Sequence, residues 1–282
     1  MGKIAVQIIT DSASDIEKEM QARWGISIVP LTVQFSDKSY LDGVTISKAE
    51  FYEKLESEAE LPKTSMVPPS DFEEIFQKAL EVGDDVVGIF LSGELSGTFQ
   101  SACIAKENLN SDRIFLLDSL SASLGLMLLV QEAVHLRDAG CEAQEIMDKI
   151  SPLPQKICLL AAVDTLKYLR KGGRISAGSA MVGEMLGIKP MITIRDGRVE
   201  SIGKARGMNA AMKHLLQEAL KAEMDSSYSI VFAHSATPQL MEKTIETVKE
   251  PMELTNWLTC QVGSTIGTHV GRGCVGLAFI RK

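Results

Sequence analysis

The chain is short of positive charge. Its 29 Lys and Arg stand against 37 Asp and Glu, a net charge of -8 with four histidines neutral. A nucleic-acid binder needs a basic face, so this balance argues against that class. Cysteine is sparse as well. Cys103, Cys141, Cys158, Cys260 and Cys274 are odd in number and scattered, with no C-x-x-C pair. Such usage predicts buried free thiols in a reducing cytosol. No apolar run reaches the ~18 residues needed to cross a bilayer. The opening MGKIAVQIITDSAS passes from one Lys straight into a strand, without the pattern of a secretory signal. Gly2 follows Met1, but the hydroxyl that N-myristoylation requires is replaced by Val6. There is no H-E-x-x-H and no carboxylate–histidine run with ligand spacing, so no metal site is expected. What remains is a cytoplasmic protein with no metal and no nucleic-acid partner.

Other features are present in ordinary measure. With 45% hydrophobic and 23% charged residues over 282 positions, the chain can bury a sizeable core as one large domain or two ordinary ones. Strand and helix signals alternate. IAVQII is a strand ending in the polar turn TDSASD, where Ser14 and Asp15 open a helix through Met20 and Trp24. ISIVPLTVQF is extended, with Pro30 at an edge or bend. Ser47 with Glu50, and Ser70 with Glu73, read as capping boxes of two helices, the second stopped by Gly83. DDVVGIFL and RIFLLDS are strands, and LGLMLLVQEAVHLRDAG is a long helix ended by Gly140. This alternation predicts an α/β fold with a three-layer α/β/α first half around a mostly parallel sheet.

The texture changes at SPLPQK, which predicts a boundary between units 1–152 and 153–282. KICLLAAV is a strand, DTLKYLRKGG a helix and SAMVGEMLG a short helix. MITIRDGRVESIG is a hairpin turning at Asp196-Gly197. Two further helices flank the strand SYSIVFAHS, and TCQVGSTIGTH and CVGLAFI close the chain as strands around a glycine-rich loop. The second unit is therefore expected to hold a mixed sheet.

Four stretches could carry chemistry. In FLSGELSGTFQSA, a buried strand runs into Ser92, Gly93, Ser96, Gly97 and Thr98 before a helix. Open α/β sheets bind ligands at such strand ends, and a helix N-terminus offers N–H groups to an anion. No Gly-Lys-Ser/Thr follows, and Ser96 sits one place late for G-x-S-x-G, so the loop is neither a P-loop nor a nucleophile elbow. With no Lys or Arg within it, a singly charged anion fits better than a polyphosphate. A simple helix cap at Ser96 or Thr98 explains the same residues equally well. KTSMVPPSDF places Thr64 and Ser65 before two prolines, where turn punctuation is the simpler reading. GSTIGTHVGRG sets His269 among four glycines, which suits a ligand contact better than a packed core histidine. Arg170, Lys171, Arg174, Lys204 and Arg206 form a basic cluster, either solvated or a docking site for an acidic partner. Of the 13 methionines most are core filler, although Met181 and Met185 could line an adaptable apolar tunnel.

ITDSASDI, KTS, LSGELSGTFQSA, the DS of LLDS, LRKGGRIS, DGRVESIGKARG and GTHVGRG follow one another in an order that resembles the DegV family. The resemblance spans the whole chain and implies a two-domain fold with a long-chain fatty acid held between the domains. It implies that Thr64, Ser96 and His269 bind the carboxylate, with Ser65, Gly97 and Thr98 in the supporting loops. It implies no catalytic residue and no cofactor, only the bound fatty acid. A separate kinase subunit would phosphorylate that carboxylate, docking at Arg174 with Arg170, Lys171 and Arg206, and contact with a membrane surface would be transient. The chain departs from the family at Met66-Val67-Pro68, at Arg272, and after Arg206, where basic residues are few. Two other functions compete. Ser96 with His269 could serve a hydrolase or acyl transferase acting on a lipid ester. A distant fold likeness between this family and dihydroxyacetone kinase substrate domains suggests instead a small polar pocket for a polyol or phosphate ligand.

Overall fold

The computed structural model describes residues 5–36, 38–175 and 187–282. Gly2, Ser176 and the expected helix with Met181 and Met185 lie outside these residues. In the first half the order is β1 (Val6–Asp11), α1 (Lys18–Trp24), β2 (Ser27–Val29), β3 (Thr32–Gln34), β4 (Ser39–Leu41), α2 (Lys48–Ser57), β5 (Lys63–Ser65), α3 (Pro69–Glu81), β6 (Asp85–Phe90), α4 (Thr98–Leu109), β7 (Ile114–Asp118), α5 (Leu124–Asp138) and α6 (Ala143–Ile150). In the second it is β8 (Ile157–Ala162), α7 (Lys167–Lys171), β9 (Ile188–Arg195), β10 (Arg198–Arg206), α8 (Met208–Lys221), β11 (Val231–His234), α9 (Pro238–Val248), β12 (Leu258–Gln261), α10 (Ser264–Val270) and β13 (Val275–Ile280).

The strands form three sheets. One is parallel, in the order β2-β1-β6-β7. A small antiparallel sheet runs β4-β3-β5. The third is mixed, β10-β9-β8-β13-β11-β12, with only β11 and β12 parallel. The expected α/β class, with a parallel sheet followed by a mixed one, is therefore present. Pro30 is the bend between β2 and β3, which belong to different sheets. Asp196 and Gly197 both have positive φ, as a tight hairpin turn requires.

Helix α5 joins the layers. Every residue from Leu124 to Gln131 is buried, so the helix has no solvent stripe along its first two turns. It packs on β1 and β6 of the parallel sheet and on β8, β11 and β13 of the mixed sheet. A helix apolar on all sides needs apolar neighbours on all sides. One continuous core consequently runs from Val6 to Ile280, with a second core beneath α8 and α9.

Several local expectations are corrected. Asp15 does not open a helix. It takes a left-handed conformation with φ 55°, and α1 begins at Lys18. Ser70 and Glu73 form no capping box, because α3 starts earlier, with Pro69 at its first position. Proline suits that position because its missing N–H would have been unpaired there anyway. KTS is a paired strand, not a loop, and GSTIGTH leaves the strand after Gln261 to form α10. Its glycines repeat every four residues, a helical spacing where a strand would show two.

Candidate functional site

Helix α10 carries His269, and its first turn is tied to the N-terminal half. Asp15 accepts from the Gly263 N–H at 2.7 Å. Asp42 accepts from the Ser264 N–H at 3.0 Å, the Ser264 hydroxyl at 2.6 Å and the Thr265 N–H at 3.1 Å. Tyr52 donates its hydroxyl to Val262 O at 3.1 Å. Two carboxylates at a helix N-terminus satisfy its free N–H groups and favour its dipole. Burial raises the Asp15 carboxyl to a pKa of about 7, against the opposing pull of Lys48, the Ser123 hydroxyl and the Gly263 N–H. Asp11 is raised to about 7 by the same cause, although it accepts the N–H groups of Leu91 and Ala13. The helix also packs closely. A Cβ on Gly267 would lie 2.6 Å from Phe51 Cε1 and 3.0 Å from Tyr52 Oη. A Cβ on Gly271 would collide with the Tyr168 ring.

Thr64 lies on β5, opposite Val33. Its Oγ1 shares a hydrogen bond of 2.9 Å with His269 Nε2. The other ring nitrogen, Nδ1, is buried and has no hydrogen-bond partner among the described residues. Burial and then the Arg174 charge lower the imidazole pKa to about 4, so the ring is neutral at ordinary pH. Arg174 donates from Nε to Leu95 O at 3.1 Å and from Nη1 to Gly172 O at 2.6 Å. In the β6–α4 loop, Ser96 Oγ and Thr98 Oγ1 are 2.9 Å apart, and Gly97 is the N-cap of α4. The Met66 sulfur lies over Gly97, where a Cβ would be 2.5 Å from it, and accepts from Ser101 Oγ at 3.7 Å.

These contacts close into a ring: Thr64, His269, Gly172, Arg174, Leu95, Ser96, Gly97, Met66 and back along the chain to Thr64. The ring reaches solvent at Met66 and Gly97, both exposed, and its polar members Thr64, Ser96, Arg174 and His269 are half-buried. Below it lies a cavity of about 250 Å³, bordered by Thr64, Ser96, Arg174 and His269. The rest of the wall is mainly aliphatic and buried, including Leu124, Leu159, Ala161, Ile192 and Val199. Those residues come from α5 and from β8, β9 and β10, so the cavity sits between the mixed sheet and the start of α5, with Leu91 and Leu95 of the β6–α4 loop beside it.

The structure thus gathers Thr64, Ser96 and His269 on one cavity wall, with Gly97 lining it and Thr98 hydrogen-bonded to Ser96. Ser65 is exposed beside them. Arg174 borders the cavity, half-buried, whereas Arg170, Lys171 and Arg206 are exposed outside it. A guanidinium therefore stands at a wall where the sequence suggested only hydroxyls and an imidazole. The Asp15–Asp42 clasp on α10 escaped the sequence reading, which marked Met66 only as a departure from the family pattern. The four-residue glycine spacing was the available signal for that helix.

Among the described residues no nucleophile relay is assembled. Ser96 bonds to Thr98 and His269 to Thr64, and no carboxylate reaches His269 Nδ1. At this site the aliphatic wall is also unlike the small polar pocket that a polyol or phosphate ligand would need. Among the described residues no group of three or more His, Cys, Asp and Glu could hold a metal ion. His234 is a core residue whose Nδ1 accepts from the Thr237 N–H at 3.1 Å. His135 and His214 lie on α5 and α8, as expected.

Comparison with known proteins agrees on one family. A DegV domain-containing protein of Caldanaerobacter subterraneus is 34% identical over 283 residues, covering 100% of both chains. A DegV family protein from Thermus thermophilus, described with its fatty acid binding, superposes with a TM-score of 0.91 at 29% identity. That match covers 99% of this chain and 100% of the other. A stearic acid-binding protein from Eubacterium ventriosum gives a TM-score of 0.87 at 26% identity, over 98% of each chain. The family model described as "Uncharacterised protein, DegV family" matches residues 5–282. With agreement over essentially its full length, the chain belongs to the DegV family.

Proposed function

We propose that this protein binds a long-chain fatty acid in this cavity, with Thr64, Ser96 and His269 holding the carboxylate. The observation that carries the reading is the junction of two chemistries. A mainly aliphatic cavity ends at a half-buried ring of hydroxyls, a neutral imidazole and a guanidinium. Burying acyl chain gains ~0.8 kcal/mol per CH₂, so roughly ten methylenes supply most of the gross affinity. The polar ring adds orientation and leaves a carboxylate oxygen toward solvent. Fatty acid binding by the Thermus thermophilus and Eubacterium ventriosum relatives supports the same ligand class.

The protein acts in the cytoplasm as a non-catalytic carrier, with no cofactor beyond its ligand. It presents the carboxylate to a separate kinase subunit, which transfers a phosphoryl group from ATP to form an acyl phosphate. Arg174, Arg170, Lys171 and Arg206 serve that docking, and transient contact with a membrane surface serves loading. The two units divide at 152/153. All strands of the parallel and three-stranded sheets precede that point, and all strands of the mixed sheet follow it.

Organic extraction of the denatured protein followed by mass spectrometry tests the reading. A near-stoichiometric long-chain fatty acid is expected. An extract that stays empty after incubation with a fatty acid panel and gel filtration would refute it. With a kinase subunit and ATP, Ser96→Ala is expected to lower acyl phosphate yield. Ester turnover by the protein alone would favour the hydrolase reading instead.

A further inference from the structure

Two adjacent glycines follow α7, and they are there for different reasons. Gly173 has φ +71°, a left-handed conformation, and nothing within 4 Å of where a Cβ would stand. Its requirement is conformational. Gly172 has φ -73° and ψ -12°, ordinary right-handed backbone that any residue adopts. Its requirement is space: a Cβ there would collide with His269 Nδ1 and lie 2.9 Å from Cε1.

We propose that Gly172 is a positioning residue that sets the tautomer of His269, so that the imidazole carries its proton on Nε2 and donates it to Thr64. This rests on the reading of the ring as a carboxylate site. The argument is one of hydrogen-bond supply. The Nδ1 atom is buried against the Gly172 methylene, with no acceptor in reach among the described residues. A proton there would be a buried, unpaired donor, which carries the full cost of its lost hydration. A bare lone pair facing a Cα–H₂ group costs less, and Cα–H makes weak favourable contacts with acceptors. The proton therefore resides on Nε2, 2.9 Å from Thr64 Oγ1. Because Thr64 Oγ1 then accepts, its own O–H is free to donate to the carboxylate, and His269 holds that carboxylate through Thr64. An imidazole that accepted from Thr64 would consume the only hydrogen that hydroxyl can offer a carboxylate. The same glycine places the cation, since its carbonyl accepts from Arg174 Nη1 at 2.6 Å. One residue without a side chain thus orients both the imidazole and the guanidinium of the ring.

The test is ¹⁵N NMR of the histidine rings in the full chain without added ligand, with His269 assigned by the signals lost in His269→Gln. The wild-type ring is expected to show an unprotonated Nδ1 and a protonated Nε2, unchanged between pH 8 and pH 6. Gly172→Ala, which fits the local backbone, is expected to mix or reverse the tautomers and to weaken stearic acid binding about tenfold or more. Gly173→Ala is expected to lower thermal stability with the His269 pattern intact. A wild-type Nδ1–H, or an unaltered tautomer in folded Gly172→Ala, would overturn the proposal. The wild-type spectrum decides even where the variant fails to fold. It needs no fatty acid, so a protein with the expected tautomer and no stearic acid binding would refute the carrier reading alone.

Discussion

Thr64 is the residue on which the polar ring turns, because its hydroxyl meets both His269 and the cavity. Thr64→Val keeps the shape and removes the hydroxyl. It is expected to weaken fatty acid binding about tenfold, measured by titration with stearic acid, since a buried ring N–H loses its acceptor as well as the ligand losing a donor. The buried acids give a pH signature. Asp15 and Asp11 are raised from 3.8 to about 7, so the folded state binds more protons than the unfolded chain between those values. Their contribution is full below about pH 4 and is lost as pH rises through 7. His269, lowered from 6.5 to about 4, acts in the opposite sense: its contribution is present above 6.5 and is lost as pH falls toward 4. Denaturant melts from pH 4 to 8 should therefore show a shallower alkaline decline in Asp15→Asn. They should show a weaker acid decline in His269→Gln. An unchanged profile in both variants would contradict the assigned causes.

At the scale of the element, α10 is the piece on which the site depends. It has seven residues, too few for independent stability, and it stands because Asp15 and Asp42 cap it and aromatic rings press on its glycines. Gly267→Ala isolates the packing. Helix propensity alone would favour alanine by ~1 kcal/mol. The space beside Phe51 forbids it, so a net loss of ~1–3 kcal/mol is expected in thermal melts. A gain in stability would show that the aromatic cluster yields. The glycine spacing of four was visible in the sequence, yet GSTIGTH reads as a loop and strand. Short helices carry too few turns for a periodic signal, and this one is held by residues about 220 to 250 positions away.

For the whole molecule, the shared core decides behaviour. Leu129 on α5 is fully buried between two sheets that the chain order places in separate halves. Leu129→Ala should cost ~2–5 kcal/mol. It should move a single unfolding transition seen alike by circular dichroism and tryptophan fluorescence, because the sheets cannot part without exposing that helix. Two separated transitions would show that the units fold independently.

The amino-acid sequence by itself determined the strand–helix alternation, the parallel first half, the Asp196-Gly197 hairpin and the capping box at Ser47. Each is written in local periodicity or turn chemistry that acts over a few residues. It also carried Thr64, Ser96 and His269 as candidates, through motif order. Only the tertiary structure decided that the three share one wall, that Arg174 stands with them, and that Asp15 serves a helix nearly 250 residues away. Those relations depend on how the sheets close around α5. Contacts between distant segments are set by packing and burial, and no local pattern records them.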